Sequence, residues 1–333
     1  MTAAITAAGI AAIYWTAFNY QFGAPIPASY DVANWLILKE NIAKNTPGER
    51  ILFVSDSNIL FGLNSDTVEK ELGKPVINMG LHGGLPLDWI LNVALRNARS
   101  GDTVVFPLVW GYYLKDYKEP NFWITDQIIA WDRSYFDDLS LTRKLPYIKS
   151  ISIPSIYHNI ELKIKKEEAL KANPLRYLPP PNVVLDEYEK TSGMQTAFSY
   201  TYVNMNRHGD MKHTCGQIAP ATGADYFMAK DSTVNQEAIA LLSHVIQELR
   251  ERGVTSYVTA PVQVDDITTR SDWYQKIIAD IWTDLKAAKI PVLGNQTSFF
   301  FPPNDFFNTN FHLNCESTEE RSERLVNLLK PKL

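Results

Sequence analysis

The sequence predicts an α/β fold: a three-layer sandwich around a mostly parallel five-stranded sheet, with a large middle insertion and an N-terminal transmembrane helix. Three observations carry this. Short apolar runs at 51–54, 76–79 and 103–109 alternate with amphipathic segments, the rhythm of parallel strands joined by right-handed crossovers. That rhythm lapses from about Trp110 to Tyr226 and returns after Asp231. Residues 2 to 18 carry no charge at all.

Taken in order, residues 2 to 18 are mostly Ala and Ile, with Tyr14, Trp15 and Phe18 at the far end and Tyr20 just beyond. About 18 helical residues reach about 27 Å, enough for a thin hydrocarbon core. The aromatics would form its interfacial belt. No Lys or Arg precedes Lys39, so neither a charge-set orientation nor the basic start of a cleaved signal peptide is present. A single membrane anchor over 1–22 is expected, the alternative being an Ala-rich helix docked on soluble protein. Gly23-Ala24-Pro25-Ile26-Pro27 is a stiff connector, and helical spacing over 31–44 completes a connecting region at 23–49.

The run Ile51-Leu52-Phe53-Val54 reads as a strand buried on both faces. Asn64-Ser65 caps a helix through Leu72, and Gly73-Lys74-Pro75 turns into a second strand, 76–79. A helix over 88–98 leads through Ser100-Gly101-Asp102 to the third strand. In the middle region, 111–230, one helix stands out at about 156–172, among Pro179-Pro180-Pro181 and a polar tract at 187–215. A stretch this irregular reads as an insertion. Beyond it come a helix from Asp231-Ser232 to Arg252, a strand at 256–260 and a helix at 272–289. A fifth strand at 290–293 and a last helix at 317–329 follow. Residues 50–110 and 231–333 thus make up a flavodoxin-like α/β domain.

Composition narrows the partners. A net charge of -5 with no basic stripe argues against nucleic acid. The run Lys163-Ile164-Lys165-Lys166 is followed by Glu167-Glu168 and reads as a solvated helix face. Two cysteines, Cys215 and Cys315, are too few for a disulfide framework or an all-cysteine zinc site. They can pair if the chain is exported, or stand as two buried thiols. No cofactor or metal is expected.

The chemistry centres on Ser55-Asp56-Ser57-Asn58, where the first strand ends and a helix opens. Open α/β sheets place their sites there, and a helix amino terminus favours developing negative charge. Ser57 is the candidate nucleophile, set against the plainer reading of a helix-capping residue. A serine nucleophile needs a base and oxyanion donors. His312, in the loop before the last helix, is the candidate base, and Gly80, with no side chain to block approach, the candidate oxyanion donor. His82, beside Gly83-Gly84, and Trp110, after the third strand, are candidate substrate contacts; packing is the alternative for both. The segment Asn206-Arg207-His208-Gly209-Asp210 reads as a surface turn.

The order Ser-Asp-Ser-Asn after the first strand, Asn78-Met79-Gly80 after the second and His312-Leu313-Asn314 before the last helix resembles the SGNH hydrolase superfamily. It is more closely similar to membrane-anchored envelope members related to DltD and the alginate O-acetylation proteins. The resemblance covers roughly 50–110 and 232–330. It implies Ser57 as nucleophile, Gly80 as oxyanion donor and His312 as general base. The chain departs from the pattern in three places: Ser55 stands for the first-block glycine, Pro107 to Gly111 offer no third-block Asn, and Asn308, Thr309 and Asn310 occupy the positions where a carboxylate is expected. Asp305, seven residues before His312, is the nearest carboxylate on that side and the third catalytic candidate.

What the resemblance implies for function is an acyl esterase or O-acyltransferase on envelope glycans. It would be held single-pass in a bacterial cell membrane by residues 2–18, with its main domain in the periplasm. An integral membrane acyltransferase or another membrane complex is the implied partner. The alternative is a catalytically degenerate subunit with a binding or assembly role.

Overall fold

The structure, a computed structural model, describes residues 2–224 and 228–333, the side chains of 2–5, 7 and 122 excepted. Its strands are β1 Ile51–Ser55, β2 Val76–Gly80, β3 Thr103–Phe106, β4 Thr255–Thr259, β5 Gln263–Val264, β6 Val292–Leu293 and β7 Phe300–Phe301. The first helices are α1 Thr2–Tyr20, α2 Tyr30–Asn45, α3 Ser57–Leu60, α4 Ser65–Leu72 and α5 Leu87–Asn97. Then come α6 Phe122–Ala130, α7 Arg133–Asp138, α8 Leu141–Ser150, α9 Ile153–Ile164, α10 Lys166–Ala172 and α11 Pro181–Thr191. The last are α12 Gln236–Glu251, α13 Asp272–Ala287 and α14 Cys315–Leu329.

Five strands form one sheet in the order β2-β1-β3-β4-β6, and every pair in it is parallel. Strand order reverses between β1 and β3, the point at which sheets of this flavodoxin-like kind open a crevice at their carboxyl ends. All residues of β1, β2 and β3 are buried, as apolar runs covered on both faces should be. Helix α5 packs on β1 with α12 beside it, and α4 packs on β2 with α14 beside it. Below the sheet, the Arg50 guanidinium pairs with Asp102 and also donates to the Ala43 and Asn97 carbonyls. Both side chains are about 1% exposed, so this pair fixes the amino ends of β1 and β3 from within the core.

The chain divides into two units, residues 1–34 with 118–181 and residues 35–117 with 182–333. The predicted insertion is therefore split: residues 182–230 belong with the sheet, and 118–181 join the amino terminus. The smaller unit contains helices α6 to α10 where one helix was expected. Its periodicity is masked in the sequence: α6 is apolar on nearly every side and α8 holds Pro146 in its interior. The expected helix at 156–172 is two helices that break at Lys165. Tyr226, the end of the expected irregular stretch, lies outside the described residues.

Helix α1 is tied down through its carboxyl-terminal half. Phe18 is fully buried against Phe22 and Phe136, Tyr14 Oη donates to the Ile148 carbonyl, and Asn159 donates to Gln21. Among the described residues no helix is long and apolar enough to cross a membrane. The expectation of a spanning helix over 2–18 meets an Ala-rich segment whose most apolar end is spent on packing.

In the larger unit β3 stops at Phe106, three residues short of the expected strand, because Pro107 has no N–H for the ladder. Helix α12 begins at Gln236 on an Asn235 cap rather than at Asp231-Ser232. A second, two-stranded sheet pairs β5 with β7, whose Phe300-Phe301 reads in the sequence only as core and turn.

Candidate active site

β1 delivers its last residue, Ser55, opposite Gly80 of β2, and the chain then turns into α3 with Ser57 as its first residue. Asp56 caps this helix, accepting from Asn58 N at 2.8 Å. Ser57 is half-buried, whereas Asp56 and Asn58 on either side are buried.

His312 Nε2 lies 2.8 Å from Ser57 Oγ. Its Nδ1 lies 2.7 Å from Asn308 Oδ1, and Asn308 Nδ2 donates to Tyr200 Oη at 2.6 Å. An amide oxygen only accepts, so Nδ1 carries the proton and Nε2 turns its lone pair to the serine hydroxyl. That is the tautomer a general base requires. Phe61 stacks flat on the imidazole, with ring centroids 3.9 Å apart and planes 6° apart, and Phe198, Tyr200 and Phe307 continue the aromatic wall. The loop bearing His312 is closed by the Phe306–Leu313 bridge and by the disulfide Cys215–Cys315. The cysteines left open by the sequence are therefore paired.

Burial pushes the His312 pKa down to about 3, and the nearby His82 imidazole pushes the same way. His82 is itself lowered to about 4 by burial. It lies beside the site, with Nδ1 accepting from Gly84 N at 3.0 Å.

The other sequence candidates fall elsewhere. Gly80 N donates to Asn78 Oδ1 at 2.8 Å, so this amide is already committed. A Cβ on Gly80 would stand 2.5 Å from Leu60 N, so glycine is needed there to let α3 pack against β2. The amides of Ser57 and Gly83 donate to no acceptor among the described residues. Gly83 also lies close to Asp56, its Cβ position 3.8 Å from that of Asp56. Asp305 turns away from His312: it bonds Ser317 at the start of α14, and burial raises its pKa. Trp110 is fully buried against Tyr113 and Trp282 and is a core residue. The 206–210 turn packs under β2, with Asn78 N donating to the His208 carbonyl and Asp210 accepting from Ser65 and Asn78. Among the described residues, the one cluster with metal-ligand chemistry is Cys215, Cys315 and Glu316, and its two sulfurs are bonded to each other.

Sequence reasoning missed the buried network beneath Ser57. Asn58 Nδ2 donates to Pro107 O, Asp56 Oδ1 and Ser55 Oγ, and Val109 N donates to Asp56 Oδ2 at 3.2 Å. Asp56 thereby ties the loop after β3 to the Ser57 turn. Arg321 of α14, fully buried, donates to Asn58 O and Oδ1 at 2.7 Å each and faces the Phe299 ring. Burial lowers its pKa to about 9, and Asp56 opposes the shift. Burial raises the Asp56 pKa, against the donors from Asn58, Val109 and Ser55. An arginine mid-helix gives no sign in the sequence of this contact.

Ser57, His312 and Asn308 thus form a hydroxyl–imidazole–amide relay. It can lower the barrier to nucleophilic attack by the serine oxygen, and the Ser57 amide at the first residue of α3 stands beside it without an acceptor among the described residues. The chain matches no protein-family model, and a comparison with curated proteins likewise yields no match.

Proposed function

We propose that this protein is a serine acyl esterase or O-acyltransferase of the SGNH type acting on acylated glycans outside the cytoplasm. The observation that carries the reading is the 2.8 Å contact of Ser57 Oγ with His312 Nε2, with Asn308 holding the other ring nitrogen. Ser57 Oγ attacks the acyl carbon while His312 takes its proton, and the Ser57 and Gly83 N–H groups hold the oxyanion. His312 returns the proton to the leaving alcohol, which departs and leaves an acyl-serine. Water or a second hydroxyl, deprotonated by His312, then releases the acyl group.

Two features support this compartment. A disulfide persists in oxidising surroundings, and Cys215–Cys315 is such a bond. The uncharged α1, with Ile10 and Ile13 exposed, gives an attachment to the membrane, where an integral membrane acyltransferase would supply the acyl group.

The test is turnover of p-nitrophenyl acetate by the purified protein, with an acyl-enzyme burst. Ser57→Ala should abolish both. Turnover unaffected by that change sinks the reading. Absence of turnover favours the second reading, a subunit that binds without catalysis, for which Asn308 in the carboxylate's place is the specific observation.

A further inference from the structure

In the smaller unit, α9 carries an apolar stripe that the described residues leave largely exposed, Ile160 alone being half-buried. Ile153, Tyr157, Ile160 and Ile164 follow one another at spacings of four, three and four residues, which places them on one face of the helix. Ile153, Tyr157 and Ile164 are 72%, 71% and 69% exposed, while Ile156 and Asn159 on the other face are buried. On α8, which ends two residues before α9 begins, Leu141 and Leu145 are exposed one turn apart. Most of the exposed large apolar side chains among the described residues lie in this unit, although it is the smaller of the two. A contiguous apolar face of this kind marks an interaction surface.

Charge identifies the occupant. Across α8 and α9 stand Arg143, Lys144, Lys149 and Lys163 against Glu161 alone, in a chain whose net charge is -5. Apolar side chains interleaved with basic ones are the composition of a helix lying in the headgroup region of an anionic leaflet. We propose that α8 and α9 together are a second membrane-binding element, with the Ile153–Tyr157–Ile164 stripe immersed and the lysines of α8 on acidic headgroups. The proposal rests on the membrane attachment put forward for α1. It adds that the smaller unit lies on the bilayer rather than hanging from a single helix.

The test is flotation of the full chain with unilamellar vesicles of phosphatidylcholine, with and without phosphatidylglycerol. Four proteins are compared: wild type, Ile10→Ser/Ile13→Ser, Ile153→Ser/Tyr157→Ser/Ile164→Ser, and Lys144→Glu/Lys149→Glu. Circular dichroism first establishes that each is folded. Because the α9 side chains are exposed, their replacement leaves the core intact. The α9 variant should lose at least about tenfold in partitioning onto phosphatidylglycerol vesicles, from the apolar area withdrawn. Lys144→Glu/Lys149→Glu should remove the dependence on phosphatidylglycerol. Partitioning of the α9 variant equal to wild type overturns the proposal, and if the α1 variant is impaired alongside, the α1 attachment stands without it. Loss of self-association in the α9 variant by sedimentation, with vesicle binding unchanged, also overturns it and makes the stripe a contact between copies. Wild type that fails to float at all removes both attachments.

Discussion

Asn308 Oδ1 lies 2.7 Å from His312 Nδ1, so the imidazole facing Ser57 is oriented by a neutral amide. Asn308 Nδ2 in turn donates to Tyr200 Oη at 2.6 Å, which anchors the far end of the amide. The arrangement sets the tautomer without supplying negative charge. It differs from a carboxylate in one respect: the imidazolium formed during attack gains no ion pair.

The first prediction follows from that difference. Asn308→Asp should raise the His312 pKa and increase the rate of acetyl ester turnover by at least about tenfold, since the reverse change in a serine protease costs about 10⁴. Asn308→Ala should lower it by about 10- to 100-fold through loss of orientation. Tyr200→Phe should have a smaller effect in the same direction. Burst kinetics on the three variants read this, and a faster Asn308→Ala enzyme would contradict it.

The second concerns pH. His312 stays neutral down to about pH 3 and His82 to about pH 4, because both are buried near one another. Activity should therefore hold well below pH 6.5, where an ordinary histidine base begins to fail, and kcat/KM against pH reports it. Stability runs the other way. The unfolded chain binds a proton on each imidazole near 6.5 and the folded chain does not, so the stability of the fold should fall as pH drops from about 6.5 towards 3. Urea midpoints at pH 4 and pH 7 measure this.

Burial of Lys39 adds an alkaline counterpart. Its ammonium donates to the Asn78 and Gly209 carbonyls at 2.6 Å each, and burial lowers its pKa to about 7. The unfolded chain then holds more protons between about pH 7 and 10.5, so this group makes the fold more stable as pH rises through that window. A lysine-to-methionine change at 39 should flatten the slope of urea midpoint against pH above 7.

The pattern of apolar runs and caps made the sheet legible: β1, β2 and β3 are continuous buried runs, and Ser57 and His312 stand at ends that the topology brings together. What stayed hidden depends on side-chain direction. Gly80 and Gly83 are equally bare in sequence, and only the Asn78 side chain, turned onto the Gly80 amide, separates them. Asp305 is the nearer chemical match to a triad carboxylate, yet the bridge between Phe306 and Leu313 points it at α14 and brings Asn308 to the imidazole. The helices of the smaller unit escaped because aromatic residues and Pro146 blur their period.

Arg321 gives the third test. Its removal leaves Asn58 O and Oδ1 without their donors and the Asp56 carboxylate without a nearby cation, all in the core under Ser57. Arg321→Met should cost about 2–4 kcal/mol in urea unfolding, since a buried acceptor left without its donor costs about 1–3 kcal/mol. Arg321→Lys keeps the charge but not the two-pronged contact, so it should recover part of the stability and less of the activity. A Met variant as stable as wild type would mean that Asn58 is held well enough by Asp56, Pro107 and Ser55.

The disulfide provides the last. Cys315 opens α14 three residues after His312, and Cys215 follows Thr214, whose carbonyl accepts from Cys315 N at 3.2 Å. The bond closes a loop of sequence separation 100 and clamps the segment that carries the base. Cys215→Ser/Cys315→Ser should lower stability by about 2–4 kcal/mol, chiefly by freeing the unfolded chain. Because His312 sits so close to the clamp, ester turnover should fall even at temperatures where the variant remains folded. Ser57 does not touch the clamp, so its phosphonylation by a small fluorophosphonate, in which Oγ displaces fluoride from phosphorus, should slow in parallel with turnover if His312 has moved. Turnover that falls without slower phosphonylation would place the defect in substrate binding instead.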